Sequence, residues 1–115
     1  MKTVDIKNKI SITELKYMSE NRFGDLVKAV VDIEKEIIVV DAELHADQEK
    51  TLLENGSEKY NLWGINLYPD DKGEDFIEFD SMINLRPSWG NRSRAVDDKE
   101  TQKKIIAIVN KLVQK

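Results

Sequence analysis

Two rhythms of apolar residues run along the chain. In "SITELKYMSENRF", Ile12, Leu15 and Met18 recur at helical spacing. Ser11 precedes them and Glu14 follows it by three, a capping-box spacing. This predicts a helix from about Ile12 to Arg22, closing before Gly24. "DLVKAVVDIEKEIIVVDAELH" changes to period two. Val27, Ala29, Val31 and Ile33 alternate with Lys28, Val30 and Asp32. After the polar "EKE", Ile38, Val40, Ala42 and Leu44 alternate with Val39, Asp41, Glu43 and His45. Two strands are predicted. "ADQEKTLLENG" reads as a short helix, with Asp47 as its cap, Leu52 and Leu53 turned inward, and Asn55-Gly56 as its stop. "NLWGINLYP" is a third strand with Trp63, Ile65 and Leu67 on one side, and "DDKGED" is a turn. "FIEFDSMINLRP" is a fourth strand. Ile77, Phe79, Ile83 and Leu85 face one way; Phe76, Glu78, Asp80, Met82, Asn84 and Arg86 face the other, and Pro87 ends it. "DDKETQKKIIAIVNKLVQK" is an amphipathic helix with a stripe of Ile105, Ile108, Val109 and Leu112.

The order α-β-β-α-β-β-α predicts the α+β class. The expected form is a single-domain, two-layer sandwich: a four-stranded, mostly antiparallel sheet with helices on one face. Its other face would then be unusually polar, carrying Lys28, Asp32, Asp41, Glu43, His45, Asn66, Tyr68, Glu78, Asp80, Asn84 and Arg86.

Composition narrows the chemistry. At 115 residues the chain is one domain long, and 40% hydrophobic with 35% charged residues describes a soluble globular protein. The absence of cysteine removes disulfides and thiolate metal sites and suits a reducing cytoplasm. No apolar run has the length of a membrane span, and the N-terminus lacks a signal peptide's apolar block. A net charge of −4 argues against duplex DNA as a partner.

One charge pattern stands out. Of four arginines, Arg86, Arg92 and Arg94 fall within "MINLRPSWGNRSRAV", and no acid lies between Ser81 and Val96. Guanidinium matches carboxylate and phosphate as a planar fork, so this loop is a candidate anion grip, with Asn66, Asn84 and Asn91 positioning the ligand. The alternative is that these arginines pair with the protein's own carboxylates. Glu43 and His45, two apart on a predicted strand, would share a face with Asp80 and supply proton transfer or orientation. His45 is the single histidine. No cofactor is expected, and a metal held among these carboxylates would be Mg²⁺ or Mn²⁺. No nucleophile elbow or glycine-rich phosphate loop occurs. Trp63 alternates with the core set; Trp89 either anchors the arginine loop or stacks on a partner.

"RFGDLVKAVVDIEK", "ELHAD", "LWGINLYP" and "IEFDSMINLRPSWGNRSR" resemble stretches of a family of small prokaryotic proteins of unknown function, over roughly Ile12 to Leu112. Trp89 stands where the resemblance leads one to expect a smaller or polar residue. The resemblance implies a cytoplasmic prokaryotic protein and no particular activity. Three readings follow from the residues. The first is a protein or enzyme acting on a small anionic ligand. The second is an interaction module for an acidic protein or RNA. The third is a purely structural arginine–carboxylate network.

Overall fold

The computed structural model describes residues 1–115. Its centre is a five-stranded antiparallel sheet of β1 (Lys2–Val4), β3 (Val27–Asp32), β4 (Ile37–Val40), β5 (Leu62–Leu67) and β6 (Ile77–Glu78), in the order β1-β4-β3-β5-β6. A short parallel pair, β2 (Ile10–Ser11) and β7 (Val113–Gln114), ties the chain's two ends together. Three helices complete the fold: α1 (Ile12–Glu20), α2 (His45–Glu54) and α3 (Lys99–Leu112). None is long and apolar enough to cross a membrane.

The predicted α+β class and antiparallel sheet are present. Ser11 caps α1 by accepting the Glu14 amide at 3.1 Å, and Asp98 caps α3 by accepting the Thr101 amide at 3.0 Å. The period-two rhythm of β3, β4 and β5 places Val27, Ala29, Val31, Ile38, Val40, Trp63, Ile65 and Leu67 in one core. That core is covered by Leu15 of α1 and by Ile105, Ile108, Val109 and Leu112 of α3.

The helices do not all lie on one face. Val30, Val39 and Leu62 point the other way and pack with Leu52 of α2. At this end the sheet is covered on both sides, and the runs "VKAVVD" and "IIVV" are correspondingly apolar in nearly every position. Leu53 stays 38% exposed because the packed side of α2 is the one carrying His45, Gln48 and Leu52.

Three local predictions are corrected. A fifth strand, β1, pairs with β4 from Lys2↔Val40 to Val4↔Ile38 and was too short to show a rhythm. β4 ends at Val40, where Asp41 takes a positive φ of 67° and turns the chain, so "AELH" is not strand. The fourth predicted strand survives only as Ile77–Glu78. Beyond it Ser81 caps a 3-10 turn at Met82–Asn84, and Pro87–Trp89 forms another. Ile77 and Phe79 pack on the first core while Ile83 packs on the second and Leu85 is 42% exposed, so the apparent alternation spans two environments.

Candidate functional site

The segment after β6 is held by side chains that act as backbone. Asn84 is fully buried. Its Oδ1 accepts the Gly64 amide at 2.8 Å and its Nδ2 donates to the Gly64 carbonyl at 2.9 Å and the Arg94 carbonyl at 3.0 Å. β6 does not pair opposite Gly64, and this amide replaces the missing strand residue. Gly64 itself has to lack a side chain: a Cβ there would lie 2.5 Å from Ser81 Cβ. Asn91 closes the loop in the same way. Its Nδ2 donates to the carbonyls of Asn84, Ser93 and Ala95, and its Oδ1 accepts the Asp97 amide.

Arg86 also turns inward. It is 8% exposed, donates from Nη1 to the Lys59 carbonyl at 3.1 Å and from Nη2 to the Leu62 carbonyl, and has no carboxylate partner. Its guanidinium lies over the rings of Trp63, at 4.2 Å, and Trp89, at 5.7 Å. Burial lowers its pKa from the ordinary arginine value. Trp89 therefore anchors the loop through Arg86, yet remains 55% exposed and meets the exposed Tyr60 edge-on at 6.4 Å. Arg92 is exposed, and only its backbone amide is engaged, by Asp97.

The remaining candidates separate into two places. Glu43 lies between β4 and α2, where Arg22 bridges Asp41 at 2.9 Å and Glu43 at 3.6 Å. His45 is not its strand neighbour: it opens α2, and the two side chains do not share a face. Instead His45 lines a cleft of about 460 Å³ with Asn66, Asp80 and Arg94, and with Lys28, Tyr68 and Glu78. Such a volume suits a small ligand. Leu26, Leu44 and Met82 supply apolar rim.

The cleft forms where α2 stops covering the sheet. Strand register sets its floor: Lys28 on β3 lies opposite Asn66 on β5, and Asn66 lies opposite Glu78 on β6, so the three make one row across the open face. Asn66 Nδ2 donates to Glu78 Oε1 at 2.8 Å and to the Asp80 carbonyl at 3.3 Å. Both partners only accept, which fixes the amide's orientation and leaves Oδ1 buried without a partner. Tyr68 donates its hydroxyl to the same Glu78 oxygen at 2.9 Å. Burial, then this carboxylate, pushes the phenol up to about 12. Asp80 accepts from Arg94 Nε at 2.8 Å, with both side chains about half exposed.

His45 is 8% exposed and its Nε2 lies 2.7 Å from the Ile65 carbonyl. A carbonyl can only accept, so Nε2 carries the proton and Nδ1 is the free lone pair, with no protein partner. Burial lowers its pKa from the ordinary histidine value, opposed by the Ile65 bond and reinforced by Lys28 and Arg94. Leu44, the residue before α2, offers no capping side chain, so the helix begins uncapped with His45 and Ala46 on the cleft wall. No three His, Asp or Glu side chains converge as a metal site.

Sequence reasoning placed Lys28, Tyr68 and Glu78 on this face without assigning them to the site. It missed the helix start because α2 begins two residues before the expected Asp47. The one available signal was an apolar residue, Leu44, directly before the helix.

No curated protein and no solved structure gives a significant match to this sequence. A family model described as "Protein of unknown function (DUF5674)" matches residues 4–112. With nearly its whole length inside that match, and with the quoted stretches around both the cleft and the asparagine-stapled segment within it, the chain belongs to the DUF5674 family.

Proposed function

We propose that this protein binds a small ligand through an anionic group, phosphate or carboxylate, in the cleft at the start of α2. The observation that carries the reading is the uncapped N-terminus of α2 opening between Lys28 and Arg94. First-turn amides carry partial positive charge and free N–H groups, and two cationic side chains flank them. Lys28 has no acid partner, while Asp80 holds Arg94 at the rim. His45 then faces the bound ligand as a neutral proton acceptor at Nδ1, and Asp80 orients Arg94 rather than taking a proton. The cysteine-free chain suits a reducing cytoplasm.

The test is a thermal-shift titration with inorganic phosphate and with acetate, propionate and butyrate at constant ionic strength. A ligand of the native state raises the melting temperature by mass action. A saturable rise that disappears in Lys28→Met and Arg94→Gln but survives in Arg92→Gln supports the cleft. A rise lost only in Arg92→Gln moves the site to the loop, and no rise with any anion overturns the reading. A protein or RNA partner is the second reading, favoured by the exposed Tyr60–Trp89 pair. Binding to an RNA or acidic-peptide probe that falls steeply with salt and is lost in Trp89→Ala would carry it.

A further inference from the structure

The cleft is polar in a second sense, since it carries both signs of charge. Lys28, Arg94 and the α2 N-terminus line it, Arg94 already held by Asp80; Glu78 lines it too, and no cation pairs it. One buried group there has an acceptor without a partner: Asn66 is 6% exposed and its Oδ1 accepts from nothing. A ligand that was only an anion would leave this lone pair unmet. Unpaired buried acceptors cost free energy unless a donor reaches them.

From this we infer that the ligand is a zwitterion, a small amino acid whose carboxylate meets the α2 N-terminus and Lys28 and whose ammonium meets Asn66 and Glu78. This rests on the anion-binding reading of the same cleft. The cross-strand row supplies the geometry. Lys28 and Glu78 stand two strand spacings apart, about 10 Å between backbones. The Lys28 ammonium rests over the Phe23 ring, 5.2 Å from its centroid, and the cleft between the two positions takes a ligand a few bonds long. The Glu78 carboxylate is already oriented, because Asn66 and Tyr68 both hold Oε1 and leave Oε2 free. An ammonium has three donors and no acceptor, which suits the Asn66 oxygen and the free Glu78 oxygen.

Matched pairs of ligands test it on the full chain. Glycine, β-alanine, 4-aminobutyrate and 5-aminovalerate are titrated against acetate, propionate, butyrate and valerate, with affinities read by calorimetry and by backbone amide shifts in NMR. For the best chain length, the amino acid should bind roughly tenfold tighter than its deaminated partner, the worth of a charge-assisted hydrogen bond. Glu78→Gln should remove most of that advantage without weakening the plain carboxylate, which loses only a like-charged neighbour. Glu78 is exposed, so this variant keeps the fold. Equal affinity for both members of every pair, with carboxylates still binding, overturns the zwitterion and leaves the anion site standing. No binding by either member overturns both.

Discussion

Replacing Asn84 by alanine tests whether a side-chain amide is standing in for a strand. In the native protein that amide satisfies both the N–H and the C=O of Gly64, at 2.8 and 2.9 Å. The third bond, to the Arg94 carbonyl, is less critical, since that oxygen also accepts the Ser81 amide at 3.0 Å. Alanine therefore orphans two buried main-chain groups, each costing about 1–3 kcal/mol. The expected loss is about 2–6 kcal/mol, a large share of the 5–15 kcal/mol that roughly holds a domain together. Urea denaturation reads it as a lower midpoint with an unchanged slope. Amide exchange at Gly64 should accelerate by more than that of Val31, which lies in the continuous part of the ladder. Asn84→Asp sharpens the test. It keeps an acceptor for the Gly64 amide but turns a carboxylate oxygen toward two carbonyls, so at pH 7 it should be no more stable than the alanine variant. A loss below about 1 kcal/mol for Asn84→Ala would show that water or a shifted backbone replaces the amide, and the strand-substitute account would fail.

Gly64→Ala should lose about 1–3 kcal/mol through overpacking, because its Cβ would meet Ser81 Cβ and Oγ at 2.5 Å. Combining it with Ser81→Gly should recover part of the loss by removing both clashing atoms, and an uncorrected double variant would contradict the stated contact. The single histidine permits an unambiguous NMR titration: His45 should show the Nε2–H tautomer and a midpoint below 6.5. Because the unfolded chain protonates first, the stability His45 contributes is complete above about pH 6.5 and is lost as pH falls toward its folded value. A His45→Gln variant should lose stability less steeply over that window. In a Tyr17→Phe, Tyr60→Phe background, Tyr68 should ionise at about 12 by ultraviolet absorbance, and Glu78→Gln should bring it down while burial keeps it above 10. Arg86→Lys should cost about 2–4 kcal/mol by chemical denaturation, since an ammonium cannot span two carbonyls and lie flat between two indoles.

The rhythm of apolar residues made the central strands and the outer helices legible, and for a physical reason. Val27, Ala29 and Val31, then Trp63, Ile65 and Leu67, and the α3 stripe bury on one large core at the spacing their elements dictate. It failed where the segment past β6 leaves the strand and crosses from one core to the other. Phe79 and Ile83 are spaced like neighbours on a strand, yet they pack on opposite sides of the sheet. Nothing in the spacing reports that Gly64 leaves a gap for Ser81 to enter. The polar face was legible as a set of residues, but its division was not. Asp41's left-handed backbone ends β4 before Glu43, so Glu43 and His45 share no strand, and that turn is held by contacts with Arg22 and with the Lys28 carbonyl.

The arginine cluster and the cleft are linked by what each buried asparagine leaves over. Asn84 and Asn91 use both ends of their amides on main chain, and Arg86 spends both of its terminal nitrogens the same way. These groups build the acid-free loop. An acid inside it would draw the donors away from the carbonyls they have to reach. Asn66 is as buried as the other two, but it uses only its nitrogen, leaving a fixed oxygen idle. Other idle atoms exist, at Gln48 Oε1, Glu49 Oε2, Trp63 Nε1 and Arg86 Nε, but their side chains do not line the cleft. Asn66 does, beside a histidine whose free nitrogen is also an acceptor. The loop of arginines and asparagines thus braces Arg94 and Asp80 at the rim of a cleft whose floor keeps one fixed, unpartnered acceptor, and the proposed ligand site rests on that acceptor.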